Sequence, residues 1–249
     1  KEALEVNKND KKEFKSLYQY SNEIDDLFWT ALIMAIALAY YFRFKKAARN
    51  KMRDSLNALL KEHGFKPKQK EGYSVTYFQD KVDAVLNYFI RNSTLPVGIA
   101  FTSALKENLF AIVTCADLKI PLMINGPAGC SKTLSFTIAM DNMKGKNSAK
   151  YMYRILRQMS YVRYQCSSVT TDTEVKAVFE NARELQRRVG EDLQRSIVLL
   201  DEAGLPKDGM ALKVIHYYLD EMELSCVILT NKWLDGAKTN RCLQVEQDH

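Results

Sequence analysis

Glycine and proline are scarce in this sequence, ten and five among 249 residues. An all-β chain needs both in its turns, so the shortage favours a helix-rich protein. Cysteine is confined to Cys115, Cys130, Cys166, Cys226 and Cys242, no two within four positions of each other. That spacing leaves no zinc-type pair, so metal binding by cysteine is not expected. An odd count in expected strands and helices points to reduced thiols and a cytoplasmic or nuclear protein. No leader runs into a cleavage site, and the first residue is Lys1 rather than Met. A secretory signal is therefore not visible, and the chain reads as an excerpt from a longer one.

A strong charge of one sign is also missing. Lys and Arg number 36 against 30 acids, a net of +6. Residues 1–95 carry 17 basic and 12 acidic side chains, and residues 96–249 carry 19 and 18. A nucleic-acid enzyme concentrates positive charge near its chemistry, because phosphate neutralisation supplies most of its affinity. Here the half with catalytic-looking motifs is nearly neutral, so nucleic acid is not the expected partner. The densest basic run, Arg43, Lys45, Lys46, Arg49, Lys51 and Arg53, is spaced to wrap a helix, which reads as a solvated face.

Long hydrophobic runs stop short of a membrane span. Residues 27–42 hold no charge, but a transmembrane helix needs about 20 apolar residues. Thr30, several alanines and a tyrosine pair before Arg43 suit a buried core helix better than a span or an interfacial helix.

What is present is a globular composition, 47% hydrophobic and 27% charged, with length enough for a sizeable core. Residues 1–62 read as helical, with an apolar helix over 22–44 continuing through Leu56, Leu59 and Leu60 to a C-cap at Gly64. A polar connector spans 66–72. Val82, Val85, Leu86, Phe89 and Ile90 fall at helical spacing, which predicts a helix over 76–91. Asn92, Ser93, Thr94, Leu95 and Pro96 break that pattern, and we place a domain boundary after residue 95. Beyond it helices (103–116, 132–143, one opened by a Thr171/Glu174 capping box, 210–221) alternate with strands (120–125, 161–166, 197–200, 226–230, 243–245). Such alternation predicts an α/β fold, a parallel sheet with helices on both faces. His216 is expected to pack within its helix, and Trp29 and Trp233 to anchor the core.

Two motifs carry chemistry. Gly126-Pro127-Ala128-Gly129-Cys130-Ser131-Lys132-Thr133 follows an expected strand and opens a helix, as a phosphate-binding loop does. Small residues let successive backbone N–H groups curl around phosphate oxygens, and the helix N-terminus adds its dipole. Lys132 would reach the β- and γ-phosphates of ATP, and the Thr133 hydroxyl would hold Mg²⁺. Ser131 stands where the pattern has its second glycine, and a positive φ there would strain a serine. The second motif, Ile197-Val198-Leu199-Leu200-Asp201-Glu202, places two carboxylates at the C-terminal edge of a buried strand. Asp201 would hold Mg²⁺ and Glu202 would polarise the attacking water. Asn231 follows the strand over 226–230, where it can bond that water or the γ-phosphate. Arg241 precedes the last strand, as an arginine finger for a neighbouring module would. No residue that reads the base is identifiable.

The loop ending Ser131-Lys132-Thr133, the block LLDEAGL, the helix LKVIHYYLDE and the stretch TNKWLDGAKTNR, with IPLMINGPAGCSKTLSF, SALKENLF and ALIMAIALAYYFRF upstream, together resemble the mysterin family. Its members are giant E3 ubiquitin ligases with a dynein-like chain of AAA+ modules. The resemblance covers most of residues 21–246, and it makes Ser131 a family trait. It implies an ATP-hydrolysing AAA+ large subdomain over 96–249, with Lys132 and Thr133 in the nucleotide loop. Asp201 and Glu202 would be the Mg²⁺ and hydrolysis acids, Asn231 the sensor, and Arg241 the finger facing an adjacent AAA+ module of the same polypeptide. Residues 1–95 would join it to the preceding module or form that module's lid. Ubiquitin machinery would be engaged through other regions, since clustered Cys and His are missing here. The chain stops at His249, just after the last strand, so a helical lid is expected to be absent and ATP binding weakened. Two alternatives stay open: a structural ATP-binding module without hydrolysis, and a nucleic-acid-dependent ATPase. A membrane-tethered NTPase ranks behind them.

Overall fold

The structure is a computed structural model that describes residues 24–62, 76–190, 194–207 and 211–247. The expected C-cap at Gly64, the connector over 66–72 and the first residues of the expected helices at 22 and 210 lie outside those ranges.

Five parallel strands form the sheet: β1 (Leu122–Asn125), β2 (Gln158–Gln165), β3 (Gln194–Asp201), β4 (Ser225–Thr230) and β5 (Leu243–Glu246), in the order β2-β3-β4-β1-β5. The central strands are buried along their length because both faces are covered, as a parallel sheet requires. Alternate residues feed opposite layers. Leu122, Ile124, Ile197, Leu199, Val227 and Leu229 enter one core, and Met123, Val198, Leu200, Cys226 and Ile228 enter the other. The first core packs against α4 (Ser103–Leu118) and α5 (Lys132–Asn142). The second packs against α7 (Asp172–Val189) and α8 (Ile215–Glu221). Thr171 opens α7 with the expected reciprocal capping box to Glu174. Two one-turn helices, α6 (Tyr151–Arg154) and α9 (Gly236–Thr239), fill connections. β2 and β3 are longer than expected, because their polar ends Gln158, Gln194 and Arg195 still pair in the ladder. α8 is shorter than expected, with residues 211–214 in turns before it.

Among the described residues three helices precede the α/β unit: α1 (Ile24–Ile36), α2 (Lys46–Glu62) and α3 (Tyr77–Arg91). The expected continuous helix is interrupted. After α1 the chain winds into a π turn, Ala37–Tyr41, and leaves helical geometry before Lys46. Arg49 explains the break, donating from Nη2 to the Phe42 carbonyl (2.9 Å) and from Nε to that of Phe44 (2.6 Å). Phe42 is fully buried, edge-on to Phe110 of α4 at 6.3 Å. One face of α1 and its π turn, with Ile33, Met34, Ala37, Leu38 and Tyr41, joins the same core as β1 and β5. The opposite face, including Phe28 and Tyr40, is exposed, so this segment is a one-sided core helix. No helix among the described residues is long and apolar enough to cross a membrane. Across the stretch after α3, Asn142 of α5 clamps Thr94, accepting its N–H at 2.7 Å and donating to its carbonyl at 2.9 Å.

Trp233 does not anchor the core. It lies 47% exposed in the loop after β4, because the chain there has left the sheet. Trp29 is half-buried, edge-on to Phe28.

Candidate functional site: the phosphate loop and the acidic strand end

The parallel register brings the ends of β1, β3 and β4 to one edge, and the chain leaves β1 at Gly126 there. Gly126 donates its N–H to the Thr230 carbonyl at 3.2 Å. A Cβ at Gly126 would stand 2.7 Å from the Cβ of Gln247 and 2.9 Å from Cys130 Sγ, so only glycine fits. Ser131, at φ 61 and ψ 19, is left-handed and opens α5. This is the strained serine that the motif made conditional on a positive φ. Two bonds hold it, from Ser135 N (2.8 Å) and Ser135 Oγ (2.7 Å) to its carbonyl. Ser131→Gly is expected to raise stability by up to about 1 kcal/mol, since glycine adopts this φ without steric cost. Urea unfolding measures it; a loss would mean that the serine side chain stabilises the loop.

Lys132 Nζ turns back into the loop and donates to the carbonyls of Gly126 (2.6 Å) and Pro127 (2.8 Å). Its ammonium thus lies inside the turn made by residues 126–131. The opening N–H groups of α5 have no intrahelical acceptor by geometry, so the turn offers donors and a cation together.

Across from the loop, Asp201 ends β3. Its Oδ2 lies 3.4 Å from Thr133 Oγ1 and 2.7 Å from Arg163 Nη2, while its Oδ1 accepts the Glu202 N–H at 3.1 Å. Glu202 sits at φ 55, left-handed for a non-glycine residue. The reversal occurs because the next amide, Ala203 N, is captured by the Leu229 carbonyl of β4 at 2.9 Å. Such strain costs about 1–3 kcal/mol and persists only where the surrounding structure imposes it. Asn231 is exposed just past β4. Gly204 lies beneath it, where a Cβ would meet Thr230 Oγ1 at 2.8 Å and Asn231 Oδ1 at 3.2 Å. The structure therefore gathers Lys132, Thr133, Asp201, Glu202 and Asn231 at one edge. Burial, then the carboxylates of Asp201 and Glu202, pushes the Cys166 thiol up to about 12, so it stays neutral beside them.

Arg241 is elsewhere. It precedes β5, whose Leu243 pairs with Leu122 at the start of β1, so it marks the opposite edge of the sheet. A four-residue strand spans about 13 Å, which separates Arg241 from its own loop. Its Nε is held by Asp220 of α8 at 2.8 Å. His216 of α8 is half-buried; burial lowers its pKa, with Arg241 and Lys238 adding to the effect.

Sequence reasoning missed two sets of residues. Arg163 on β2 is one, and an arginine in an otherwise strand-like run signals a carboxylate partner. The other is a buried polar chain behind the loop. Arg49 Nη1 donates to both carboxylate oxygens of Glu107 (2.8 and 2.9 Å), and Arg49 Nη2 donates to the Glu246 carbonyl (2.7 Å). Gln247 Nε2 bridges Glu107 Oε2 (3.2 Å) to Asn108 Oδ1 (2.9 Å), and Asn108 Nδ2 reaches the Cys130 carbonyl (3.1 Å). Arg49 is therefore not on the solvated face expected of the basic run; its side chain is drawn in to 13% exposure by Glu107 and three carbonyls that its fork satisfies. A glutamate among the apolar residues of α4 was the available signal.

The RNF213 AAA domain family matches this sequence over residues 98–249. The chain belongs to that family. RNF213 is the E3 ubiquitin ligase behind the mysterin resemblance. The mouse and human RNF213 ligases are each 32% identical to it, over 90% and 93% of the chain. A Dictyostelium discoideum protein, transmembrane and uncharacterised by its name, is 33% identical over 86% of the chain. The chain spans about 4% of the length of these relatives. Among solved structures, C. elegans PCH-2 superposes with a TM-score of 0.39 at 16% identity, over 59% of this chain and 43% of that one. The RNF213 AAA assignment and the parallel sheet make this an α/β AAA+ module.

Proposed function

We propose that this module binds Mg-ATP at the edge formed by residues 126–133, Asp201, Glu202 and Asn231, and hydrolyses it within a giant E3 ubiquitin ligase. The observation that carries the reading is Lys132, whose ammonium is held inside the glycine turn at 2.6 Å from the Gly126 carbonyl. A phosphate chain entering that turn would exchange those carbonyls for its own oxygens. Thr133 Oγ1 and Asp201 Oδ2, 3.4 Å apart, are an all-oxygen donor set suited to Mg²⁺. Mg²⁺, when bound, neutralises the β- and γ-phosphate oxygens. Glu202 would orient and polarise the attacking water, and Asn231 would hold the γ-phosphate or that water. Arg241, at the far edge, suits the nucleotide of an adjacent AAA+ module. An intact Glu202 favours hydrolysis over the alternative, a module that only stores ATP.

The family match beginning at residue 98 supports a nucleotide-binding subdomain over 96–249 with residues 1–95 as a helical joint to a preceding module. The core shared by α1–α3 and the sheet would make that joint firm. Five free cysteines suit a cytoplasmic setting, and ubiquitin machinery would be reached through the rest of the polypeptide.

Lys132→Ala is expected to weaken binding of a fluorescent ATP analogue at least about tenfold, the loss of one charge-assisted phosphate contact. Equal affinity in the two proteins would remove residues 126–133 from nucleotide binding.

A further inference from the structure

Asp201 already has a cation. The carboxylate side chain is 6% exposed, and Arg163, itself 44% exposed, holds it at 2.7 Å. Its two oxygens are not equivalent. Oδ1 is engaged by the Glu202 amide, and Oδ2 is shared between Arg163 and the Thr133 hydroxyl. Arg163 is opposite Leu199 in the β2–β3 register. That side of β2 faces α5, since Tyr161, two residues earlier, lies edge-on to Phe136 at 5.4 Å. The guanidinium therefore comes from the neighbouring strand, along the face beneath the start of α5, to the oxygen a metal at Thr133 would need.

We propose that Arg163 is a resident counter-ion that Mg²⁺ must displace from Asp201 when the nucleotide binds. The inference rests on the nucleotide-site reading above and adds a positioning residue to it. Buried carboxylates are costly without a partner, and the Arg163 guanidinium at 2.7 Å supplies one while orienting Asp201. The partly exposed arginine can leave for solvent when a divalent ion arrives. The consequence is a raised Mg²⁺ requirement, with the module loading only when magnesium and nucleotide arrive together.

Two titrations on the 249-residue chain test this. In the first, binding of a fluorescent ATP analogue is followed against Mg²⁺ concentration. Arg163→Gln is expected to lower the half-saturating Mg²⁺ about fivefold, the value of one partly exposed ion pair, with nucleotide affinity at saturating Mg²⁺ unchanged. Arg163→Lys, which keeps the charge, falls between Gln and wild type. An unshifted Mg²⁺ midpoint overturns the proposal. So does a loss of nucleotide affinity at saturating Mg²⁺, which would make Arg163 a phosphate ligand. In the second, Mn²⁺ binding is read by electron paramagnetic resonance without nucleotide. Arg163→Gln should bind Mn²⁺ more tightly than wild type, and adding Asp201→Asn should abolish the gain. If no protein binds nucleotide yet the Mn²⁺ gain is seen, the nucleotide reading fails and the counter-ion role survives. No Mn²⁺ gain sinks the counter-ion role whatever the nucleotide does.

Discussion

Glu202→Gln, made in the full-length protein, is expected to leave ATP bound and to cut single-turnover hydrolysis at this module by about 100-fold or more. General-base assistance is worth about 10² to 10⁴ in rate, and glutamine keeps the size of the side chain while losing the basic oxygen. The backbone should tolerate the change, because the φ of 55 at this position is imposed by the Leu229–Ala203 bond, which does not involve the side chain. Retained binding with lost turnover makes the module a working motor. Unchanged hydrolysis would place turnover in another module and leave this one as a nucleotide-holding strut.

Arg49→Ala should destabilise the 249-residue chain by about 3–5 kcal/mol, the range for removing one partner of a buried ion pair. One guanidinium bonds the Glu107 carboxylate and the carbonyls of Phe42, Phe44 and Glu246. Its loss strands the Glu107 carboxylate and the part-buried Phe42 and Glu246 carbonyls, while the exposed Phe44 carbonyl can turn to water. Burial lifts the Glu107 pKa above its ordinary value against the pull of Arg49 and the hydrogen bond from Gln247, and in the variant the Arg49 pull is lost, so the pKa rises further. The sign follows. A carboxyl whose folded pKa exceeds the unfolded one is stabilised by protonation, so the deficit should be largest at neutral pH. It should narrow as pH falls toward about 4–5, where the unfolded carboxyl also protonates. Urea unfolding at pH 7.5 and 5 measures both. A loss below about 1 kcal/mol would mean a pair that contributes no more than a surface one.

The same chain of contacts explains what was and was not legible. The run Ile197-Val198-Leu199-Leu200 reads as a buried parallel strand because four apolar residues must be covered on both faces, and they are. The Thr171/Glu174 pair reads as a helix start because its partners are three residues apart. In contrast, the break between α1 and α2 depends on Arg49 finding carbonyls of Phe42 and Phe44 while it binds Glu107, 58 residues further on. Periodicity carries no record of such a partner, so an apolar run followed by a basic one reads as a single helix. Trp233 was misplaced for a related reason: hydrophobicity alone does not say whether the chain has already left the sheet.

The sequence by itself determined the alternation of strands and helices, the glycine turn followed by Lys132 and Thr133, and the two acids at the end of β3. These are local features, set by side-chain spacing, by the φ that glycine permits and by the N–H groups a helix start leaves open. Tertiary structure alone decided which of those groups meet. It put Thr133 and Arg163 on the same oxygen of Asp201 and set Arg241 at the opposite edge. It also joined Arg49 to the phosphate loop through Glu107, Gln247 and Asn108. The physical reason is that a buried charge or amide must find a partner of fixed geometry wherever the fold supplies one. Only the packed sheet and helices fix where that is.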